Sequence, residues 1–94
     1  MTRYTVTWDE DVEGPFIDAW VRGDDTMRRT LTEIADWVDS QLREDPVAKG
    51  EATDEPGTRI VVVMLSSSLA RISVVYEVWP DDRLVRIVRL TFRI

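Results

Sequence analysis

The chain contains no cysteine and no histidine. Without thiols there are no disulfides and no thiolate metal sites. Without imidazole it lacks the usual proton carrier at neutral pH and the commonest metal ligand. No metal and no cofactor are therefore expected. Lysine is nearly absent as well, Lys49 being the only one, so almost all positive charge is guanidinium. No apolar run approaches the ~20 residues that span a bilayer. The start, Met1-Thr2-Arg3-Tyr4, does not lead into the apolar segment of a signal peptide. Cytoplasmic residence and no membrane partner follow as expectations.

What is present suits one small domain covering residues 1–94. Hydrophobic residues make up 44% of the chain and charged residues 32%, which places it among globular proteins. The net charge of −6 is unevenly spread. Residues 1–56 hold fifteen acidic and six basic side chains, a net −9, whereas residues 57–94 hold three and six, a net +3. That separation predicts two surfaces of opposite sign. The acidic half disfavours loose attachment to polyanions, which depends on phosphate contacts, but leaves room for a local basic site.

Tyr4, Val6 and Trp8 alternate with Arg3, Thr5 and Thr7, the period of a strand with one buried face. The acidic run Asp9-Glu10-Asp11 is expected to end it. Pro15 fits the first turn of a helix carrying Phe16, Ile17, Trp20 and Val21, with Gly23 as its stop. Asp24 or Asp25 suits the cap of the next helix. Met27, Leu31, Ile34, Val38 and Leu42 then mark one face of about five turns, complete before Pro46. Val47 to Thr58 reads as a loop, the only long one. Three strands follow, separated by Ser66-Ser67-Ser68 and by Pro80-Asp81-Asp82, and their short connections favour an antiparallel meander. The expected fold is α+β, in the order β-α-α-β-β-β, with a helical hairpin packed on one face of an antiparallel sheet.

The even-numbered residues of the last three strands, from Ile60 to Ile94, are mostly large and apolar and are expected to face the helices. The odd-numbered set holds Arg59, Arg71, Arg89, Arg93, Glu77 and Trp79 beside Val61, Val63, Val75 and Ile87. Four guanidiniums on one open face suit bidentate capture of phosphates, and an indole suits stacking on a base or an arginine. A face that mixes guanidiniums with apolar groups also fits cover by a partner segment, or simple solvation with Glu77 paired to an arginine.

The stretches "IADWVDSQLREDP" (Ile34 to Pro46) and "ARISVVYEVWPDDRLVRIVRL" (Ala70 to Leu90) resemble the RelE/ParE family of bacterial toxins. The former is similar to the family's second helix running into its terminal proline. The latter is similar to its tyrosine-bearing strand, acidic turn and final strand. The resemblance implies a toxin of a toxin–antitoxin or plasmid-stabilization system, with an antitoxin-like segment covering the sheet. Family ribonucleases cleave mRNA in the ribosome through its 2′-hydroxyl, which requires proton transfer and phosphate neutralisation. Arg71 and Arg89 match family arginines and would clamp phosphate. Where some members carry histidine and tyrosine, this chain has Thr91 and Phe92, and Tyr4 and Tyr76 fall on the expected core face. Glu51 and Glu77 are the remaining candidate bases. The ParE branch inhibits DNA gyrase without being a nuclease, a role that needs no catalytic group. Three readings follow: a toxin-like protein acting by binding, an endoribonuclease with an arginine-based site acting on RNA at the ribosome, and an interaction domain that retains only the fold.

Overall fold

The computed structural model describes residues 3–93. A short strand β1 (Thr5–Trp8) leads into α1 (Glu10–Arg22) and α2 (Asp25–Arg43). A single helical turn α3 (Pro46–Lys49) and a two-residue strand β2 (Glu51–Ala52) precede β3 (Thr58–Met64), β4 (Arg71–Trp79) and β5 (Leu84–Arg93). The five strands form one sheet in the order β1-β5-β4-β3-β2.

The β3-β4-β5 meander is antiparallel as expected, but the whole sheet is mixed, because β1 runs parallel to β5. The helical hairpin carries the chain back across the sheet, and β1 takes the remaining edge of β5. The stretch read as a loop from Val47 to Thr58 holds most of α3 and all of β2. Ala52 pairs with Arg59 and Glu51 with Ile60, so this segment extends the sheet by a strand too short to show a periodic signal. Among the described residues no helix is long and apolar enough to cross a membrane.

The acidic run after β1 starts a helix as well as ending a strand. The Asp9 carboxylate accepts from the Asp11 N–H at 2.9 Å, and Glu10, Asp11 and Glu13 occupy the positive end of the helix dipole. Pro15 therefore lies inside α1 rather than in its first turn. In α2 the Asp24 carboxylate accepts from Met27 N–H at 2.8 Å. The expected stripe is buried at Leu31, Ile34, Val38 and Leu42. These side chains meet Ile72, Val74, Tyr76 and Val78 of β4 and Val85 and Ile87 of β5. Trp8 ties the layers together: its ring lies 5.2 Å from that of Phe16, and its Nε1–H donates to Asp39 at 3.1 Å.

The parity of two strands differs from expectation. In β3 the odd residues Val61 and Val63 turn towards the core, while Val62 and Met64 are exposed. Both faces of this strand are apolar, so alternation carried no directional information. In β5 the register shifts opposite Val75 and Tyr76, with Ile87 facing Tyr76 and Arg89 facing Val75. Val88 is the extra residue of a β-bulge. Ile87 is consequently fully buried rather than on the open face, and Val88 leaves the core series, which resumes at Leu90 and Phe92. Ile94, expected in that series, lies outside the described residues.

Candidate functional site

The sheet face turned away from the helices is the candidate site. On β4 the residues Arg71, Ser73, Val75, Glu77 and Trp79 alternate with the buried set and point to this open side. Directly paired residues share a face. Arg93 therefore stands beside Arg71, Thr91 beside Ser73, Arg89 beside Val75, Arg86 beside Glu77 and Leu84 beside Trp79. From β3, Ile60, Val62 and Met64 join them opposite Val75, Ser73 and Arg71.

The predicted residues divide into three groups. Arg71 and Arg93 are immediate neighbours and, with Ser73 and Thr91, line a shallow depression of about 400 Å³. Two guanidiniums and two hydroxyls converge there, a donor set suited to a phosphate or carboxylate. Arg89 lies on the same face, four residues along β5 from Arg93, or about 13 Å at strand spacing. It lines another depression with Glu77, Asp54 and Glu55, where acidic and basic groups mix. Trp79 is at the far end of β4, half exposed and eight residues from Arg71, so it does not share the Arg71–Arg93 depression.

Arg59 is on the other side. It pairs with Tyr76 rather than with an open-face residue, and its guanidinium donates to the Gly50 carbonyl. Its buried Nε finds no acceptor among the described residues. A long side chain near the margin of the sheet can occupy the helix side because its head reaches a backbone carbonyl at the rim. The expected group of four arginines thus loses Arg59. Glu51 is exposed on β2, paired with Ile60, and β3 and β4 separate it from β5.

Arg86 was not among the residues that the sequence pattern singled out. It pairs with Glu77 across β4–β5 and forms an ion pair with Asp9, the cap of α1. The hydrogen bond to Asp9 raises the Arg86 pKa, with Glu77 adding a smaller push. Asp9 is lowered in turn, first by the Asp11 N–H and then by Arg86. Glu77 therefore stands beside a guanidinium that Asp9 already engages. The signal was present in the sequence: Val85-Arg86-Ile87 is followed by Val88-Arg89-Leu90, and the doubled apolar pair Ile87-Val88 marks a break in alternation.

Neither tyrosine that the sequence placed on the core side reaches the arginines of the open face. The Tyr76 hydroxyl is buried, donates to the Pro46 carbonyl at 2.7 Å, and has its pKa pushed up by burial. Tyr4 packs against the core near β1. Among the described residues no group of three or more acidic side chains is arranged to hold a metal ion.

One edge of the sheet is incomplete beside this face. β1 covers β5 only from Leu84 to Ile87, leaving the stretch to Arg93 paired with β4 on one side and without a strand on the β1 side among the described residues. A groove of about 300 Å³ between this stretch and α1 is lined by Val12, Phe16, Ala19, Leu90 and Phe92.

No family model matches the chain, and no curated protein matches it in sequence. Solved structures do match it in fold. A chain of the RelBE2 toxin–antitoxin complex from Mycobacterium tuberculosis superimposes with a TM-score of 0.72 at 17% identity, covering 99% of this chain and 94% of that one. A chain of the intact E. coli RelBE toxin–antitoxin complex gives 0.55 at 20% identity, covering 93% of each chain. An E. coli RelE mutant in complex with an antitoxin peptide gives 0.51 at 19%, covering 95% of this chain and 82% of that one. The chain has a RelE-like toxin fold.

Proposed function

We propose that this chain is a toxin-like protein of the RelE/ParE superfamily that acts in the cytoplasm by binding, and that an antitoxin-like segment covers its sheet. The observation that carries this reading is the composition of the open face. The Arg71–Arg93 pair lies beside exposed Val62 and Met64, and among the described residues no histidine, lysine or accessible tyrosine joins it. Such a surface can hold an acidic or phosphorylated partner, but it offers no neutral-pH proton carrier beside its anion-binding groups. The incomplete edge of β5, with an apolar groove on one side and Arg89 and Arg93 on the other, supports a covering segment added along the sheet.

An alternative reading, an endoribonuclease, draws on Glu77 and Arg89 lining one depression. There a carboxylate would take the proton of a ribose hydroxyl while the guanidinium holds the phosphate.

Inducible expression in a bacterial host separates the two readings. Growth arrest with inhibited gyrase supercoiling and intact transcripts supports the binding reading, and Arg71→Ala with Arg93→Ala should relieve the arrest. Cut transcripts that disappear in Glu77→Gln would replace it with the nuclease. Normal growth at high expression would leave a fold retained for interaction alone.

A further inference from the structure

Strand pairing arranges the open face in rows that run across the sheet. The first row is Met64, Arg71 and Arg93, and the second is Val62, Ser73 and Thr91. Neither contains a carboxylate. Glu33, which meets the β3–β4 turn beyond the first row, belongs to α2 and accepts from the Ser67 and Ser68 amides. The third row is Glu51, Ile60, Val75 and Arg89. The fourth is Thr58, Glu77, Arg86 and Thr7, and Trp79 and Leu84 follow in the fifth.

Charge changes sign along these rows. Glu51 and Glu77 are joined by Asp54 and Glu55 of the loop before β3, which line one depression with Glu77 and Arg89. Hydrogen bonds fix that loop: Thr53 N–H donates to the Thr58 carbonyl at 3.0 Å, Thr58 N–H to the Glu55 carbonyl at 3.1 Å, and Val78 N–H to the Gly57 carbonyl at 2.9 Å. Arg86 is already engaged by Asp9, and Arg89 has Asp11 in the groove beside it. Asp81, Asp82 and Arg83 form the turn beyond Trp79. Eight carboxylates thus gather with three guanidiniums at this end, against two guanidiniums and no carboxylate in the first two rows. Arg3 and Glu44, which bridge beyond Thr5, add one of each sign, and Asp18 is paired with Arg22.

The two ends suit opposite charges. Glu77 is six residues along β4 from Arg71, about 20 Å at strand spacing. Trp79, 48% exposed, comes next to Glu77 on the same face. Carboxylates beside an indole suit an ammonium or guanidinium group. Between the ends lie apolar Val62 and Val75. RNA laid along β4 would place one phosphate at Arg71 and Arg93 and its next phosphates among carboxylates, a juxtaposition of like charges.

We propose that the open face takes a polypeptide segment of mixed charge. Its acidic end sits on Arg71 and Arg93, its apolar residues lie over Val62 and Val75, and a basic side chain about 20 Å away enters between Glu77, the Asp54–Glu55 loop and Trp79. This rests on the reading that a segment covers the sheet, and it adds the order of that segment's charges and sets RNA aside as the main ligand.

Two-dimensional amide NMR of the full chain, titrated with three probes to roughly 5 mM, tests the proposal. The probes are the peptide Glu-Glu-Val-Ser-Val-Ser-Lys-Lys with blocked ends, the same peptide with both lysines replaced by glutamate, and octauridylate. The mixed peptide should bind about tenfold more tightly than the other two, and should shift both the Arg71 and Arg93 amides and the Trp79 indole. In the double variant Glu55→Lys, Glu77→Lys the preference should pass to the all-acidic peptide, a gain that misfolding would not produce. No saturable shift from the mixed peptide would overturn the proposal, as would a preference that the double variant leaves unchanged. Equal binding of the two peptides would overturn the charge order alone. Octauridylate binding more tightly than both would overturn the covering reading as well.

Discussion

Arg71 stands directly opposite Arg93 across the β4–β5 pair. Like charges in that position repel. Of the two ion pairs among the described residues, neither involves these arginines. A negative partner would relieve the repulsion, which is the physical basis for reading the pair as an anion site. Arg93→Glu supplies such a partner internally. It should stabilise the fold by about 0.2–1 kcal/mol, the usual worth of an opposed pair on a sheet. It should also weaken binding of single-stranded RNA and reduce the log–log salt slope by ~0.7 for each phosphate no longer engaged. Urea unfolding and fluorescence anisotropy at several salt concentrations check both effects. Unchanged stability together with an unchanged slope would remove the pair from consideration as an anion site.

Two carboxylates couple the fold to pH. Glu33, on α2, accepts from the backbone N–H of Ser68 at 2.9 Å and of Ser67 at 3.1 Å, tying the β3–β4 turn to the helix. The Ser68 side chain first, and then those backbone bonds, lower its pKa from the ordinary 4.5. Asp9 is lowered from 3.8 by the Asp11 N–H and then by Arg86. A folded-state pKa below the unfolded one adds stability that is complete above the unfolded value and disappears as pH falls through the folded value. Thermal midpoints should therefore hold steady above about pH 5 and decline in the acid range below the ordinary carboxylate values. The Asp9→Asn, Glu33→Gln double variant should melt lower at pH 7 and show a shallower acid decline. Melts between those limits that run parallel to the wild type would count against both couplings.

Much of this fold was legible because its strongest elements repeat a clear period. The α2 stripe from Leu31 to Leu42 and the alternation of β4 fixed the hairpin and the centre of the sheet. β3 was not legible in the same way. Residues Ile60 to Met64 are all apolar, so the assumption that Arg59 points to solvent set the direction of the whole strand. The structure reverses that direction, because the guanidinium finds the Gly50 carbonyl on the helix side. The open face was recovered in part for a related reason. Arg71 and Arg93 lie on strand segments of regular alternation, whereas Arg86 lies before the bulge, where a single parity for the whole strand places it on the wrong face.

The corner that holds Arg59 also holds the bond that ties β4 to the turn after α2. The Tyr76 hydroxyl donates to the Pro46 carbonyl. Tyr76→Phe leaves that buried acceptor unmet and should cost about 1–3 kcal/mol. Gly50 lies against the same hydroxyl: a Cβ there would come within 2.6 Å of it and of the Ile60 carbonyl. Gly50→Ala should cost about 1–3 kcal/mol through forced displacement. Because the two sites share an atom, the double variant should lose less than the summed effects, since removing the hydroxyl relieves one of the two clashes and leaves that with the Ile60 carbonyl. Urea denaturation of the four proteins checks this, and strict additivity would show that the clash is relieved elsewhere.

The bulge at Val88 can be tested by deletion. With Val88 present, Ile87 points inward and Arg89 outward although they are two residues apart. Removing Val88 joins Ile87 directly to Arg89 and gives an unbroken alternation, with Leu90 and Phe92 still inward. The deletion should therefore fold cooperatively, keep Arg89 opposite Val75, and change stability by only about 1 kcal/mol, since no core side chain is removed. Deleting Thr91 instead reverses everything after it and turns Phe92 outward, a register error that should cost several times more. Amide spectra and urea midpoints of the two variants make the comparison. If loss of Val88 unfolds the chain while loss of Thr91 does not, the extra residue is required for the bend of β5 itself, and the simple parity account of this strand is wrong.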